Sequence, residues 1–530
     1  MYSIDTYISK KLHITKNPKI AGKIWRDFET ACQNKKVILY GISELINVLW
    51  LRCNQKIEII AAIDNDTAKQ GHKLNEFFDD ENLKSAKDIV IKSKKFLANY
   101  NADEVVILIS SLRYYEEIAT ELDSQNFYCY FSTLNLECYY REYLQVKNLP
   151  LRTEEDYIYD YAKKCVATYP VQNNKIIFCG MGIYSDHCKY ITEQLLSMNK
   201  NFDIVWIMNK PSVEVPKGVR TVYEGKWKQY IYEIETAKVW VYGVPIRITP
   251  VKRKEQVYIQ TKHWSSITLK KFYLDDVANE SKKEIYELNA KLLDYIITGS
   301  EFDENSCRRG FNFNGAFLRF GSPRSDILFK PKQCKKKIYE KFKLNSDEKI
   351  LLYAPTYRFR DTRGSNPDLK WQGLDFEILL NSLQQRWSGI WKIFLRLHPL
   401  VRMRSNQIKQ PDFVIDVSNY EDSQELVASS EVVISDFSSI VFEPAYVLKP
   451  VFLFAPDKNL YEQKNFELLI DYSSLPFPIS TTNEELSTQI KNFDESDYKC
   501  RVKSFLDKYD VHEDGHASER SAEFIVKLLS

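Results

Sequence analysis

Residues 432–454 read V-V-I-S-D-F-S-S-I-V-F-E-P-A-Y-V-L-K-P-V-F-L-F. The apolar run at the start predicts a buried strand, and Pro450 marks where a helix ends and the next strand begins. Between the two strands, Asp436, Ser438 and Ser439 stand at the predicted start of that helix. Backbone N–H groups there lack partners within the helix, and the helix dipole adds partial positive charge. The pattern therefore favours a phosphate or diphosphate site, although an isolated copy would also fit an ordinary helix cap.

The composition is that of a folded soluble protein. The chain has 530 residues, of which 44% are hydrophobic and 28% charged, so about two to four domains are expected. A net charge of +2 gives no indication of nucleic-acid binding. The ten cysteines show no C-x-x-C pair and no zinc spacing, which is typical of reduced thiols in a cytosolic protein. We expect no membrane span and no signal peptide.

Two short basic runs, residues 252–254 and 335–337, stand out from this even charge distribution. Runs of this length most often form solvated faces. The alternative is contact with anionic lipid or an anionic polymer.

Apolar runs alternate with amphipathic segments along the chain, which predicts an α/β fold with parallel sheets. In the first unit, Gly41 follows a predicted strand, and Asp64 ends the next one. This is the outline of a dinucleotide-binding fingerprint, but Ser43 and Ile46 stand where further glycines are needed. Side chains there block close approach of the backbone to a diphosphate. We therefore expect a degenerate module, structural or partner-binding, rather than a working NAD site.

A second α/β unit begins near residue 175, and the run at 294–298 is predicted to be the last strand of its sheet. His263 lies just past a predicted strand end, where α/β folds bind their ligands. A lone histidine is more often structural, but its polar surroundings favour a phosphate-binding pocket. The neighbours concerned are Lys262, Ser265, Ser266 and Lys270.

The third unit has charged residues after two of its predicted strands. Pro399 prevents a helix from continuing, so His398 is expected on a turn at the carboxyl edge of the sheet. Arg396 lies two residues earlier and leaves the strand on the same face. Arg358 follows the preceding strand. Surface ion pairing is the alternative for both arginines, but their placement beside a histidine favours an anion clamp.

Taken together, these motifs resemble the CDP-glycerol:glycerophosphate glycerophosphotransferase family, which includes teichoic acid primases, polymerases and related capsule enzymes. The motifs are Q-T-K-H-W-S-S-I-T-L-K-K (260–271), G-S-P-R-S-D (321–326), Y-A-P-T-Y-R (353–358), R-L-H-P (396–399), S-D-F-S-S-I-V-F-E (435–443) and K-P-V-F-L-F (449–454). The resemblance covers residues from about 170 to 530.

The resemblance implies a GT-B-like pair of Rossmann-like domains facing a cleft, preceded here by an extra N-terminal Rossmann-like domain. The expected divisions are an N-terminal domain (1–135), a helical linker (136–170), an acceptor-side domain (171–320) and a CDP-donor-binding domain (321–530).

The implied reaction moves glycerol phosphate or ribitol phosphate from its CDP ester to a hydroxyl of a lipid-linked or polymeric cell-surface glycan, releasing CMP. It implies an enzyme at the cytoplasmic face of the membrane, attached peripherally, with an anionic membrane surface as a further partner. No cofactor is needed besides the CDP-polyol substrate. No Asp-x-Asp pair stands near the motifs, so a divalent metal is not required.

Residue roles follow from the same resemblance. His263 and His398 are expected to be catalytic. Binding of the donor phosphates or nucleotide is expected from Arg358, Arg396, Asp436, Ser438, Ser439, Glu443, Arg324 and Asp326. The acceptor or phosphate side is expected to use Lys262, Ser265, Ser266 and Lys270.

Two alternatives remain open from the sequence. A GT-B glycosyltransferase that uses a nucleotide sugar would share the fold, because fold does not determine function. A non-catalytic scaffold that recruits partners through its front domain is the other.

Overall fold

The computed structural model describes residues 25, 27–32, 35–42, 59–77, 89–111, 114–133, 136, 154–209, 214–276, 282–356, 373–397, 411–458 and 468–529. Two compact units can be distinguished. The first comprises Met1–Ile177, Val205–Ala237 and Arg247–Glu255; the second comprises Phe178–Ile204, Lys238–Ile246 and Gln256–Ser530.

The described strands form three β-sheets, and their registered pairs run parallel. They are β1 (Lys36–Tyr40), β2 (Ile59–Ile63), β3 (Ile91–Lys92), β4 (Val105–Ile109), β5 (Tyr130–Ser132), β6 (Gln172–Cys179), β7 (Asp203–Met208), β8 (Val219–Tyr223), β9 (Ala237–Tyr242), β10 (Val257–Gln260), β11 (Tyr295–Thr298), β12 (Ala316–Arg319), β13 (Glu348–Tyr353), β14 (Ile390–Leu395), β15 (Val414–Asp416), β16 (Val432–Ser435), β17 (Val451–Phe454) and β18 (Ile479–Ser480).

Helices alternate with these strands, as the sequence pattern predicts. They are α1 (Tyr115–Ser124), α2 (Glu154–Thr168), α3 (Asp186–Ser197), α4 (Trp227–Thr236), α5 (Lys283–Leu292), α6 (Glu301–Gly310), α7 (Pro331–Phe342), α8 (Phe376–Trp387), α9 (Ser423–Ser429), α10 (Phe442–Tyr446), α11 (Asn483–Lys491), α12 (Glu495–Lys508) and α13 (Ala517–Leu529).

All three sheets share one winding order. The first runs β3-β2-β1-β4-β5, the second β12-β11-β10-β9-β6-β7-β8, and the third β15-β14-β13-β16-β17-β18. In each sheet the chain starts in the middle, winds towards one edge, then returns to build the other side. The winding direction therefore switches between β1 and β4, between β6 and β9, and between β13 and β16. In open α/β sheets, ligands bind beyond the carboxyl ends of the strands at such a switch point.

The central strands owe their position to their apolar sequences. β4, β16 and β17 are buried along their whole length. Continuous burial of this kind is typical of parallel strands covered by helices on both faces. The three Rossmann-like sheets confirm the predicted α/β, GT-B-like fold class, while the predicted domain limits stay predictions.

One strand prediction was wrong. The run at 294–298 is not the last strand of its sheet, because β11 pairs in parallel with the additional strand β12. β12 reads A-F-L-R and is only partly buried. An edge strand with one open side needs no continuous apolar run, so its sequence carried no signal.

The amphipathic helix α13 is the last described element and ends at Leu529. Residues 43–58, between β1 and β2, lie outside the described residues. Within the part of the chain that is described, every helix falls short of the length and apolar character that a membrane crossing needs.

Candidate active site

His263 lies beyond the end of β10, beside the switch point of the second sheet. The backbone of Gly243, the residue that follows β9, acts on the ring and favours its protonated form, which raises the pKa of His263. The Tyr273 hydroxyl lies 3.4 Å from His263 Nδ1. The ring also meets Trp264 edge-on, with 5.0 Å between ring centroids. The imidazole is thus held at the carboxyl edge of the sheet, where the sequence predicted it.

The backbone around His263 is strained. Asp186, Lys262 and Tyr273 have left-handed φ angles of 64°, 57° and 51°. Each such conformation costs a non-glycine residue about 1–3 kcal/mol, and strain of this kind concentrates at active sites. Lys262 precedes His263 in the chain, Tyr273 contacts its ring, and the charge of Asp186 acts on it. Three of the ten described non-glycine residues with left-handed φ angles therefore lie around one side chain.

The surroundings keep His263 neutral. Burial lowers the pKa of the imidazole, and the positive charges of Arg324 and Lys262 act in the same direction, against Asp186. A neutral imidazole has one nitrogen free to accept a proton, as a general base requires.

A second histidine, His187, lies in the same region but has a structural role. Burial lowers its pKa to about 3. Its Nε2 donates to the Trp264 carbonyl at 2.9 Å, and its Nδ1 accepts from the Arg324 backbone N–H at 3.4 Å. Both ring nitrogens are therefore occupied by the protein.

Lys262 is committed to a buried ion pair. Its Nζ lies 2.9 Å from Asp303 Oδ2, and the side chains are 1% and 0% exposed. The second oxygen of Asp303 accepts from Trp264 Nε1 at 3.2 Å. The pair fixes the turn that carries His263, whereas the predicted contact of Lys262 with a phosphate stays a prediction.

The two serines after Trp264 hold the same loop to other elements. Ser265 Oγ lies 2.7 Å from the Tyr446 hydroxyl. Ser266 Oγ donates to the carboxylate of Glu513 and lies 3.1 Å from Ser322 Oγ. Burial raises the pKa of Glu513 to about 7. Both hydroxyls therefore have protein partners in this structure.

Asp436 braces the switch point of the third sheet. Its Oδ1 accepts from the backbone N–H groups of Thr356 at 2.8 Å and Phe437 at 2.7 Å. Thr356 lies beyond β13 and Asp436 beyond β16, so one carboxylate joins the two strand ends.

Ser438 and Ser439, the twin serines, follow Asp436 in the chain. Ser438 caps a short 3-10 helix, Ser439–Val441, which leads into α10. Ser439 Oγ accepts from the Leu269 N–H at 3.0 Å and lies 3.2 Å from Thr268 Oγ1. Thr268 and Leu269 belong to the loop that follows His263. The structure thus joins two motifs that are about 170 residues apart in the sequence.

Arg324 is surrounded by protein groups. Its Nη1 donates to the His263 carbonyl at 2.8 Å and to Asp186 Oδ1 at 3.1 Å, and its Nη2 donates to Glu443. Glu443 is fully buried and also accepts from Gln424 at 2.8 Å. Arg324 and Glu443, both predicted to bind the donor, therefore contact each other, and Arg324 also contacts the His263 loop.

Three other predicted site residues make their described contacts with segments other than the turn of His263. Asp326 accepts from the backbone N–H groups of Ala517 and Ser518 and caps α13. Lys270 forms an isolated backbone bridge with Leu468. Arg396 Nη1 donates to the carbonyl of Tyr420 at 2.6 Å. Arg358 and His398 lie outside the described residues.

Several residues of the site were missed in the sequence. Asp186 and His187 follow the Gly180–Gly182 turn after β6, and that turn after a strand was the available signal. Tyr273, Asp303 and Glu513 gave no local signal, because they join the site from distant parts of the chain.

The first sheet uses its strand ends differently. Asp64 follows β2, and its carboxylate accepts from the Ile42 N–H at 2.7 Å, the Asp66 N–H at 2.8 Å and Lys69 Nζ at 3.2 Å. An acid at this position would bind a ribose in a dinucleotide site. Here its oxygens accept from neighbouring protein donors, and the degenerate module stays a prediction.

The basic run 335–337 is engaged in ion pairs. Lys335 pairs with Glu431, and Lys337 Nζ lies 2.8 Å from Glu425. Lys336 is 80% exposed and lies 3.9 Å from Glu340. A mostly paired, partly solvated face fits the simpler of the two sequence interpretations.

Among the described side chains, no group of three His, Cys, Asp or Glu could hold a metal ion.

The sequence of residues 161–527 matches the family model of CDP-Glycerol:Poly(glycerophosphate) glycerophosphotransferase. The chain belongs to this family. It is a transferase that moves a polyol phosphate from its CDP ester to a glycan acceptor, and the alternatives of a glycosyltransferase or a scaffold are not favoured.

Known members of the family resemble it along most of its length. A teichoic acid poly(glycerol phosphate) polymerase of Staphylococcus epidermidis is 26% identical over 98% of this chain and 73% of its own. A teichoic acid glycerol-phosphate primase of Bacillus subtilis is 29% identical over 57% of this chain and 76% of its own. The solved structure of the wall teichoic acid polymerase TagF is 27% identical, covers 74% of this chain and 97% of its own, and has a TM-score of 0.61.

Proposed function

We propose that this transferase uses CDP-glycerol as donor and a teichoic-acid-like poly(glycerol phosphate) chain as acceptor. One structural observation carries the assignment of the reaction to this site. Ser439 in the twin-serine turn accepts a hydrogen bond from Leu269 in the loop of His263. The loop that follows the candidate base is therefore bonded to the turn of the candidate diphosphate site. The choice of glycerol rests on the relatives, since the polymerase that matches 98% of this chain is named for poly(glycerol phosphate).

In the proposed reaction, His263 accepts the proton of the acceptor hydroxyl. The acceptor oxygen attacks the β-phosphorus of CDP-glycerol, and a new P–O bond forms. The bond between that phosphorus and the bridging oxygen breaks, and CMP leaves with the bonding electrons. Phosphoryl transfer depends mainly on positioning and charge stabilisation, which this set of side chains supplies.

The diphosphate is proposed to lie at the turn of Ser438 and Ser439. The backbone N–H groups of this turn and the two hydroxyls are the available donors. Arg396 and His398 are proposed to hold or protonate the phosphate of the leaving CMP, and Arg358 to neutralise the diphosphate. These roles extend the sequence predictions for the residues concerned.

The proposed reaction needs no divalent metal. Turnover in excess EDTA should equal turnover in added Mg²⁺, measured as CMP release from CDP-glycerol. A loss of turnover in EDTA that Mg²⁺ restores would contradict this part of the proposal.

The proposed place of action is the cytoplasmic face of the cell membrane, with the enzyme bound peripherally. The acceptors named for the relatives are cell-surface polymers, and a CDP ester is a cytoplasmic metabolite. Cell fractionation with and without high salt tests this assignment. Recovery of the enzyme in the soluble fraction under both conditions would contradict it.

A donor screen tests the function itself. CDP-glycerol, CDP-ribitol and several nucleotide sugars are each incubated with the enzyme and a poly(glycerol phosphate) acceptor. CDP-glycerol should give the fastest acceptor-dependent release of CMP. Faster release from CDP-ribitol would change the polyol, and turnover of a nucleotide sugar alone would overturn the assignment.

A further inference from the structure

The guanidinium of Arg324 contacts protein groups on two sides. Nη1 donates to the His263 carbonyl at 2.8 Å and to Asp186 Oδ1 at 3.1 Å, while Nη2 donates to Glu443. The side chains of Arg324 and Glu443 are 11% and 0% exposed. The remaining nitrogen, Nε, is buried and has no partner among the described residues. Protein groups therefore accept from three of the five N–H groups of this guanidinium, and the Nε–H is buried.

The positive charge of Arg324 is already offset by acidic groups of the protein. One guanidinium faces two carboxylates, those of Asp186 and Glu443. Burial alone would raise the pKa of Asp186, but Arg324 and the neighbouring histidines outweigh it and lower that pKa. Burial raises the pKa of Glu443, against the opposing effect of Arg324. An anionic diphosphate would have to compete with two carboxylates for the same cation.

Arg324 also connects the strained parts of the site. It binds the carbonyl of His263, the residue that follows the left-handed Lys262, and it binds the side chain of the left-handed Asp186. Conformations of this kind persist only where surrounding contacts hold them. Arg324 supplies such contacts to both segments at once.

We propose that Arg324, held between Asp186 and Glu443, is a positioning residue that orients His263 and does not bind the donor diphosphate. This inference rests on the proposed role of His263 as general base. It assigns Arg324 and Glu443 to the support of the base, where the sequence motifs had suggested contact with the donor.

The proposal predicts a particular kinetic signature. Misplacement of a catalytic group by about 1 Å can cost about 10²-fold in rate. Arg324→Gln should therefore lower kcat about 10²-fold and leave KM for CDP-glycerol within about twofold. Arg324→Lys keeps the charge but loses the two-sided contact, so it should recover only part of kcat.

The protonation of His263 gives a readout that does not depend on turnover. Arg324 lowers the pKa of His263 and Asp186 raises it. Removing the guanidinium leaves Asp186 unopposed, so the pKa of His263 should rise. This can be followed by NMR titration of ¹³C-labelled histidines, of which the chain has seven, with His263→Ala identifying the signal.

Two further variants serve as controls for Arg324→Gln. Arg319 is 37% exposed and pairs with Glu304 and Asp510, so Arg319→Gln should change neither kcat nor the titration. If Arg324→Gln does not fold, the double variant Arg324→Gln/Glu443→Gln is tested in its place, because it removes both charges of the ion pair.

The possible outcomes separate the two proposals. A raised KM for CDP-glycerol with kcat retained would show that Arg324 binds the donor and would overturn the inference. An unchanged His263 titration would overturn it as well, whatever the turnover. If the wild-type enzyme fails the donor screen while Arg324→Gln still shifts the titration, the proposed donor is wrong and the positioning role stands.

Discussion

The first and second sheets have the same winding order. They differ in the partners of the polar side chains at the carboxyl ends of their strands. In the first sheet, the Asp64 carboxylate accepts hydrogen bonds from Ile42, Asp66 and Lys69. In the second sheet, His263 stands at the corresponding edge, with strained residues around it and a ring nitrogen able to accept a proton. The fold supplies an edge suited to ligands in both cases. The chemistry is decided by whether the polar groups at that edge are already occupied.

Replacing His263 gives the largest effect expected from this comparison. A general base contributes about 10²–10⁴-fold to rate. His263→Ala should therefore lower kcat for CMP release by that factor and leave binding of CDP-glycerol, measured by calorimetry, within about twofold. Near-normal turnover in the variant would remove the distinction between the two sheets.

The twin serines extend the comparison to the third sheet. Ser438→Ala with Ser439→Ala removes two hydroxyls from the proposed diphosphate site. Each hydrogen bond to a charged group contributes about 1.5–3 kcal/mol, so the loss of both should raise the dissociation constant for CDP-glycerol by about 10²-fold or more. Ser473→Ala, at an exposed hydroxyl that bonds Asp471, is the matched control. Unchanged donor affinity in the double variant would count against the site.

The pH dependence of kcat/KM is expected to show a smaller effect, which depends on the lowered pKa of His263. The pKa of His263 lies below its usual 6.5, so the base form persists as the pH falls to that value and is lost below the lowered pKa. A base titrating at 6.5 would lose about tenfold of its activity at pH 5.5. The loss in kcat/KM at pH 5.5 should therefore be less than tenfold. A steeper decline centred above pH 6.5 would contradict the depressed pKa.

The smallest effect on activity is expected in the first sheet. Asp64→Ala removes an acceptor used by the backbone of Ile42 and by Lys69, which should weaken this region by about 1–3 kcal/mol. Hydrogen exchange of the β1 and β2 amides should therefore accelerate. CMP release should stay within about twofold, and a large loss of turnover would show that the first sheet takes part in the reaction.

The sequence predicted a large part of the fold for a simple reason. Continuous apolar runs such as β16 and β17 are buried on both faces, so their composition alone identifies them. Edge strands have no such requirement, and β12 was missed for that reason. The turn that carries Ser438 was predicted from its capping residues, which act within a few positions of one another.

The candidate site was predicted only in part. His263 could be found because its position follows from a strand end in the local sequence. The environment of that histidine could not be found, since Asp186, Tyr273 and Arg324 come from three separate segments of the chain. Arg324 shows the difference most clearly: its motif predicts a phosphate contact, which stays a prediction, whereas its ion pairs with Asp186 and Glu443 are visible only in the structure.

The sequence by itself determined the three parallel sheets, the family and the residues that stand at the strand ends, because these depend on local periodicity and on motifs. Only the tertiary structure decided which of those residues are already paired. Hydrogen bonds and ion pairs between distant segments depend on distances of a few ångströms, and no local pattern encodes these. Asp64 and His263 differ in the partners that surround them for that physical reason.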